Sequence, residues 1–260
     1  MNPNVREVPD GKQKAKTVPM AVKYILLAIV CVALVFIFRA VLKKIDEKSI
    51  EVPIKEKTEA EAGDYILFGS YEQDNKTRNG KEDIEWLVLA REEDRILVIS
   101  RYALDCVQYN PSQTDVTWEN CKLRGWLNSA FLEDAFTDDE QGQILESAVT
   151  ADSNPRYNTS AGNDTVDRVF LLSMTEAEEY LPSEEARKCG ASDYTAGKNA
   201  SVDTHHLVGG KGSCWWWLRT PGGSNLNAVI VGADGTFAEN GFYVFYEFGS
   251  VRPAMWITLN

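Results

Sequence analysis

Hydrophobic positions follow two regimes along this chain. Tyr24–Phe38 is an unbroken run of fifteen apolar residues. With its softer flanks, Met20–Leu42, it covers the roughly twenty helical residues that a hydrocarbon core requires. Lys23 and Arg39 sit near its ends, where long side chains snorkel to the headgroups. A soluble core helix is rarely apolar on every side. A cleaved signal peptide is the rival reading, but Phe38-Arg39-Ala40-Val41-Leu42-Lys43-Lys44 contains no small-x-small site before a polar start. The pattern therefore predicts an uncleaved signal anchor in the cell membrane, single-pass. Arg6, Lys12, Lys14, Lys16 and Lys23 precede the run, and Arg39, Lys43, Lys44 and Lys48 follow it. This small excess places the N-terminus inside and the C-terminal domain outside the cell. Four regions follow: a disordered tail at 1–19, the span at 20–42, a charged stalk at 43–62, and a domain at 63–260.

Within the domain the pattern is that of short mixed elements. Ile84–Ala90 and Arg95–Arg101 flank Arg91-Glu92-Glu93-Asp94 and predict a β-hairpin. Leu123, Trp126, Leu127, Ala130 and Phe131 recur at helical spacing and predict a helix over Thr117–Phe131, with a second over Asp138–Ser147. Arg168–Ser173 reads as a strand. Ser173-Met174-Thr175-Glu176 has capping-box spacing and predicts a helix Thr175–Tyr180. Residues 189–213, rich in Gly, Ser, Ala and Thr, read as a long loop. Strands are expected at Cys214–Arg219, Ala228–Val231, Phe242–Phe248 and Val251–Thr258, with a tight turn at Ala233-Asp234-Gly235. The fold class is α+β, with antiparallel strands at both ends and a few short helices between them.

Charge sharpens this division. Residues 1–62 hold eleven Lys/Arg against eight Asp/Glu, a net of +3, and residues 63–260 hold sixteen against thirty-one, a net of −15. An acidic domain without basic clusters repels phosphate backbones, so no nucleic-acid partner is expected. Outside the span lie Cys106, Cys121, Cys189 and Cys214. The local pairings Cys106–Cys121 and Cys189–Cys214 would make two disulfides. Free buried thiols are the competing reading, because a domain of this length can build a core without staples. No C-x-x-C pair offers the usual zinc spacing.

Candidate chemistry is sparse. Trp215-Trp216-Trp217 alternate faces if extended, which leaves one ring for a ligand. Arg219 and Arg252 each close an apolar segment, where a guanidinium braces loops or binds an anion. Trp215, Trp217, Arg219 and Tyr243 are the candidate ligand-binding residues. Asn154, Asn158, Asn163, Asp164 and Asp167 form an oxygen-rich loop. Asn158, Asn163, Asp164 and Asp167 are candidate calcium ligands, although turn-forming Asn and Asp explain the composition without a metal. His205 and His206 lack any metal or catalytic spacing. There is no G-x-S-x-G elbow, P-loop or G-x-G-x-x-G fingerprint, so no catalytic residue and no cofactor beyond calcium is indicated.

Gly63-Asp-Tyr-Ile-Leu-Phe-Gly-Ser-Tyr-Glu-Gln-Asp-Asn75, Asn79-Gly-Lys-Glu-Asp-Ile-Glu-Trp86, Thr117-Trp-Glu-Asn-Cys-Lys-Leu-Arg-Gly-Trp-Leu-Asn128, Val169-Phe-Leu-Leu-Ser173, Trp216-Trp-Leu-Arg-Thr-Pro-Gly222 and Val251-Arg-Pro-Ala-Met-Trp256 occur in that order. Together they resemble a bacterial, mostly Gram-positive family of unassigned function that often sits behind a membrane anchor. Through the Trp-Trp-Leu-Arg and Val-Arg-Pro segments the family is distantly similar to the C-type-lectin-like fold, in the branch shared with formylglycine-generating enzymes. The resemblance implies a C-type-lectin-like domain and a surface setting, and no mechanism. The expected function is a membrane-anchored extracellular binding module for a protein, glycan or envelope component, without catalysis. Its contact surface is expected in the loops between Cys189 and Asn240. The alternatives are an enzyme using Cys189 and Cys214, and a structural surface domain.

Overall fold

The computed structural model describes residues 52–260, together with Ala33 and Leu34, which are helical. The chain divides into two units, Met1–Lys48 and Ser49–Asn260, and every element below belongs to the second. Apart from those two residues, the expected tail and the span Met20–Leu42 lie outside the described residues. Among the described residues no helix is long and apolar enough to cross a membrane.

Strands β1 (Tyr65–Tyr71), β2 (Glu82–Arg91) and β3 (Arg95–Ser100) form an antiparallel meander, followed by the short β4 (Asp105–Cys106). A helical stretch comes next: a 3-10 turn Trp118–Asn120, α1 (Lys122–Trp126), a π turn Leu127–Phe131, α2 (Leu132–Ala135) and α3 (Asp138–Gln141). Strand β5 (Ser147–Val149) pairs with β6 (Thr165–Asp167). Then follow α4 (Met174–Tyr180), α5 (Glu184–Arg187), β7 (Cys189–Gly190), α6 (Asp193–Gly197), β8 (Val202–Val208) and β9 (Lys211–Cys214). The chain closes with β10 (Trp216–Pro221), β11 (Asn227–Val231), β12 (Phe237–Tyr243), β13 (Ser250–Val251) and β14 (Ala254–Thr258). The sheets run β1-β2-β3-β14, β12-β11-β10-β13-β4, β7-β9-β8 and β5-β6. The architecture is mixed α+β, with mostly antiparallel sheets and short helices around one contiguous apolar core.

Local chemistry accounts for the elements that match expectation. Glu92 N donates to the Arg95 carbonyl and tightens the β2–β3 hairpin. On β2, Ile84, Trp86 and Val88 alternate inward, whereas Ile96–Ile99 of the central strand β3 are all buried. Ser173 Oγ accepts from Glu176 N while the Glu176 carboxylate accepts from Ser173 N, closing the capping box of α4. Gly235 supplies the left-handed φ of the Ala233-Asp234-Gly235 turn, whose Asp234 carboxylate accepts from Thr236.

Other expectations need correction. The helix expected over Thr117–Phe131 breaks at Cys121, which is extended, and then passes through the π turn. The wider turn rotates the following side chains, so Leu132 is buried and Ala130 is exposed although both Leu127 and Phe131 stay inside. The second helix stops at Gln141, and Ile144 and Ser147 already pair as extended chain. Arg168–Ser173 forms no strand: Arg168 and Val169 lie in a bend, Val169–Ser173 are buried, and Phe170 makes an isolated bridge to Ala254. The supposed loop 189–213 holds β7, α6, β8 and β9. Its glycines serve close strand approach, since a Cβ on Gly190 or Gly212 would lie 2.6 Å from the Val208 carbonyl or 2.5 Å from Val202 Cγ1. Strand β12 ends at Tyr243, not Phe248. Residues 52–62, assigned to the stalk, pack on the domain: Ile54 bridges Tyr65, and Ala60 is buried with its carbonyl accepting from Arg91.

Candidate ligand-binding surface

The five-stranded sheet carries the aromatic residues outward from the core. Trp216 and Trp217 of β10 are wholly buried, and each indole N–H is satisfied, Trp216 by the Arg187 carbonyl at 3.0 Å and Trp217 by that of Val107 at 3.1 Å. Trp215 is buried too. Ring contacts then form a continuous chain. Trp118 meets Tyr109 at 6.3 Å, Tyr109 meets Trp217 at 5.7 Å, Trp217 meets Trp215 at 4.9 Å, and Trp215 meets Phe242 at 5.1 Å. Phe242 touches Tyr246, and Tyr246 touches both Tyr243 and Phe245.

At its outer end this chain opens on solvent. Phe242, Tyr243 and Tyr246, joined by these ring contacts, are 37%, 43% and 36% exposed, and Phe248 further along the same loop is 50% exposed; together they make an aromatic shelf of the kind that marks interaction surfaces. Its backbone is pinned from beneath. Val244 is buried, its N–H donates to the Leu226 carbonyl, and its own carbonyl accepts from Asn110 N. Gln108 Nε2 donates to the Phe245 carbonyl at 2.5 Å, and the Cys106 thiol to that of Glu247 at 3.2 Å. Tyr246 N closes a turn onto the Tyr243 carbonyl. Gly249 lies flat on Trp217, where an added Cβ would come within 1.9 Å of the indole nitrogen. The rings are thus held outward by a loop whose polar backbone is satisfied inward. Among the described residues the Tyr243 and Tyr246 hydroxyls have no hydrogen-bond partner, and Glu247 is exposed on the same loop.

The predicted ligand residues therefore separate. Tyr243 is on the shelf, Trp215 supports it from below, and Trp217 is inaccessible. Arg219 is 3% exposed and fully engaged: Nη2 donates to Glu176 Oε1 at 2.8 Å, Nη1 to the other Glu176 oxygen and to the Leu171 carbonyl, and Nε to the Thr150 carbonyl. It braces α4 against β10. Phe242, Tyr246 and Phe248 were missed as surface residues, since Phe242–Phe248 read as a strand. β12 runs through Gly241, at positive φ, and stops two residues later at Tyr243.

The calcium candidates also disperse. Asp167 is buried, accepting from Arg124 Nε at 2.6 Å, Trp118 Nε1 at 2.9 Å and Thr165 Oγ1 at 2.6 Å. Asp164 accepts from Ala151 N, Asn163 donates to Glu119, and Asn158 takes a left-handed turn conformation. Turn and bracing roles thus account for all four. Among the described residues Glu72, Asp74 and Glu82 bring their carboxylates within 4.8 Å of one another, but these oxygens already accept from the N–H groups of Gln73, Asp74 and Lys76.

All four cysteines of the domain are free and buried. Burial pushes the Cys106 thiol up to about 11 and the Cys121 thiol up to about 12. Cys189 and Cys214 stand directly opposite on β7 and β9. Burial raises Cys189, but the hydrogen bond from Cys214 and the charge of Arg252 outweigh it and hold Cys189 below the ordinary thiol value. Cys214, the donor in that pair, is raised well above.

Residues 93–259 match the family described as a domain of unknown function, DUF6273. The chain belongs to this family. No curated protein and no solved structure matches it. The matched DUF6273 segment begins within the β2–β3 turn, so β1 and β2, which complete one of the sheets, lie outside it.

Proposed function

We propose that this DUF6273 protein is a membrane-anchored recognition module, tethered by Met20–Leu42, whose aromatic shelf binds a glycan of the cell envelope. The observation that carries the reading is the shelf at Phe242–Phe248, exposed yet held rigid by the ring chain beneath it. Flat rings stack on the apolar faces of sugars, and the unengaged tyrosine hydroxyls and Glu247 supply hydrogen bonds at the rim. The net charge of −15 over residues 63–260 argues against an anionic lipid surface as the occupant. A C-type-lectin-like arrangement is part of this proposal. Support comes from β14, the last strand, which pairs along its length with β3 and so ties the C-terminal end to the first meander. A glycan array probed with the detergent-solubilised full-length chain, alongside capture from envelope extracts, tests the function. Saturable glycan capture is expected, and capture of protein alone or of nothing by the folded chain would refute it.

The enzymatic alternative has one observation in its favour, the facing thiols of Cys189 and Cys214 with Cys189 acidified. Thiol labelling of the native chain tests it: both thiols inert at neutral pH would remove that support.

A further inference from the structure

Arg252 is 3% exposed, and among the described residues no carboxylate pairs with it. Its Nε donates to the Ser100 carbonyl at 2.9 Å and its guanidinium lies 5.2 Å from the centre of the Trp216 ring, but Nη1 has no hydrogen-bond partner. A guanidinium cannot discharge itself by losing a proton, and a buried charge without a counter-ion is costly. The same residue forms part of the wall of a cavity of about 320 Å³ between β1–β3, α5 and the β8–β9 turn. Arg101 and Lys188 also line it. Arg101 pairs with Glu85, and Lys188 with Glu185 at 2.6 Å. Among the described residues, Arg101 and Lys188 each have a carboxylate partner and Arg252 has none. The remaining wall is apolar or aromatic: Tyr65 and Tyr102, whose rings lie against Arg101, with Leu87, Leu181, Ala186 and Val208.

We propose that this cavity is a binding site for a small monocarboxylate that carries an apolar group. One negative charge neutralises that of Arg252. A carboxylate supplies a charged acceptor for the Arg252 guanidinium, and an apolar body packs against the tyrosine and leucine side chains of the wall. The volume lies at the lower end of the range for small-molecule sites, which limits the ligand to about the size of a single acylated amino acid. The site is separate from the aromatic shelf and does not depend on the function assigned to it.

Isothermal titration of the full-length chain in detergent tests the proposal with three acids, acetate, butyrate and N-acetylphenylalanine, and one neutral control, N-acetylphenylalaninamide. Saturable one-to-one binding of the acids is expected, N-acetylphenylalanine being the tightest. The amide should bind at least about tenfold more weakly, the loss expected when a charged partner is removed. Arg252→Met should abolish acid binding. If that variant does not fold, Lys188→Met, at a side chain 23% exposed, should still weaken acid binding several-fold while leaving the amide unchanged. Tyr243→Ala on the shelf should change nothing. Acid and amide binding equally, no saturable binding by the folded wild type, or undiminished binding by folded Arg252→Met would each overturn the assignment.

Discussion

Trp215–Trp217 and Phe242–Phe248 are the two densest aromatic stretches of the chain, and they meet edge to face at Trp215 and Phe242. The first is buried: β10, which begins at Trp216, runs inside a five-stranded sheet with β11 on one edge and β13 on the other, and all three indoles pack into the apolar core. The second leaves its sheet at Tyr243 and continues as a loop in which only Val244 turns inward. Ring content is similar, and it is the backbone that decides whether a ring becomes core or contact surface. The contact between the two stretches matters as well. The exposed rings inherit rigidity from the buried ones, which lowers the entropy lost when a ligand orders them.

Breaking the buried half should have the largest effect. Trp217→Ala removes a fully buried indole and strands the Val107 carbonyl, and should cost about 3–5 kcal/mol in denaturant unfolding. Gly249→Ala presses a methyl group into the same indole and should cost about 1–3 kcal/mol, without changing polarity anywhere. Trp215→Leu should fall lower in stability cost, at about 1–2 kcal/mol, but should also weaken ligand capture, because Phe242 then loses its support. The exposed half should behave in the opposite way: Tyr243→Ser with Phe248→Ser should alter stability by no more than about 0.5 kcal/mol per site while reducing ligand affinity more than about tenfold. A shelf variant that unfolds as readily as Trp217→Ala would erase the distinction between the halves.

The legibility of these regions follows the same physical line. The β2–β3 hairpin, the Ser173/Glu176 cap and the Ala233-Asp234-Gly235 turn are written in neighbouring residues, so a local pattern suffices to place them. The π turn at Leu127–Phe131 arises where helix geometry yields to core packing, and helical spacing alone misassigns Ala130. The sheet formed by β7, β8 and β9 hides in a Gly- and Ser-rich stretch, because small residues permit close backbone approach as readily as they permit loops. Arg219 and Arg252 stand in similar contexts, each at the end of an apolar segment. What separates them is Glu176, forty-three positions from Arg219 and brought to it by α4, with no equivalent for Arg252 among the described residues. Of the ligand-residue candidates Tyr243 reaches the surface, while its neighbours on the shelf were concealed by a strand that ends earlier than its hydrophobicity suggests.

The most direct measurement compares the full-length chain with the Tyr243→Ser, Phe248→Ser variant for binding to envelope glycan, with thermal melting of both proteins recorded in parallel. The shelf account predicts matched melting curves and a loss of more than about tenfold in glycan affinity. Equal glycan binding by two equally stable proteins would contradict it.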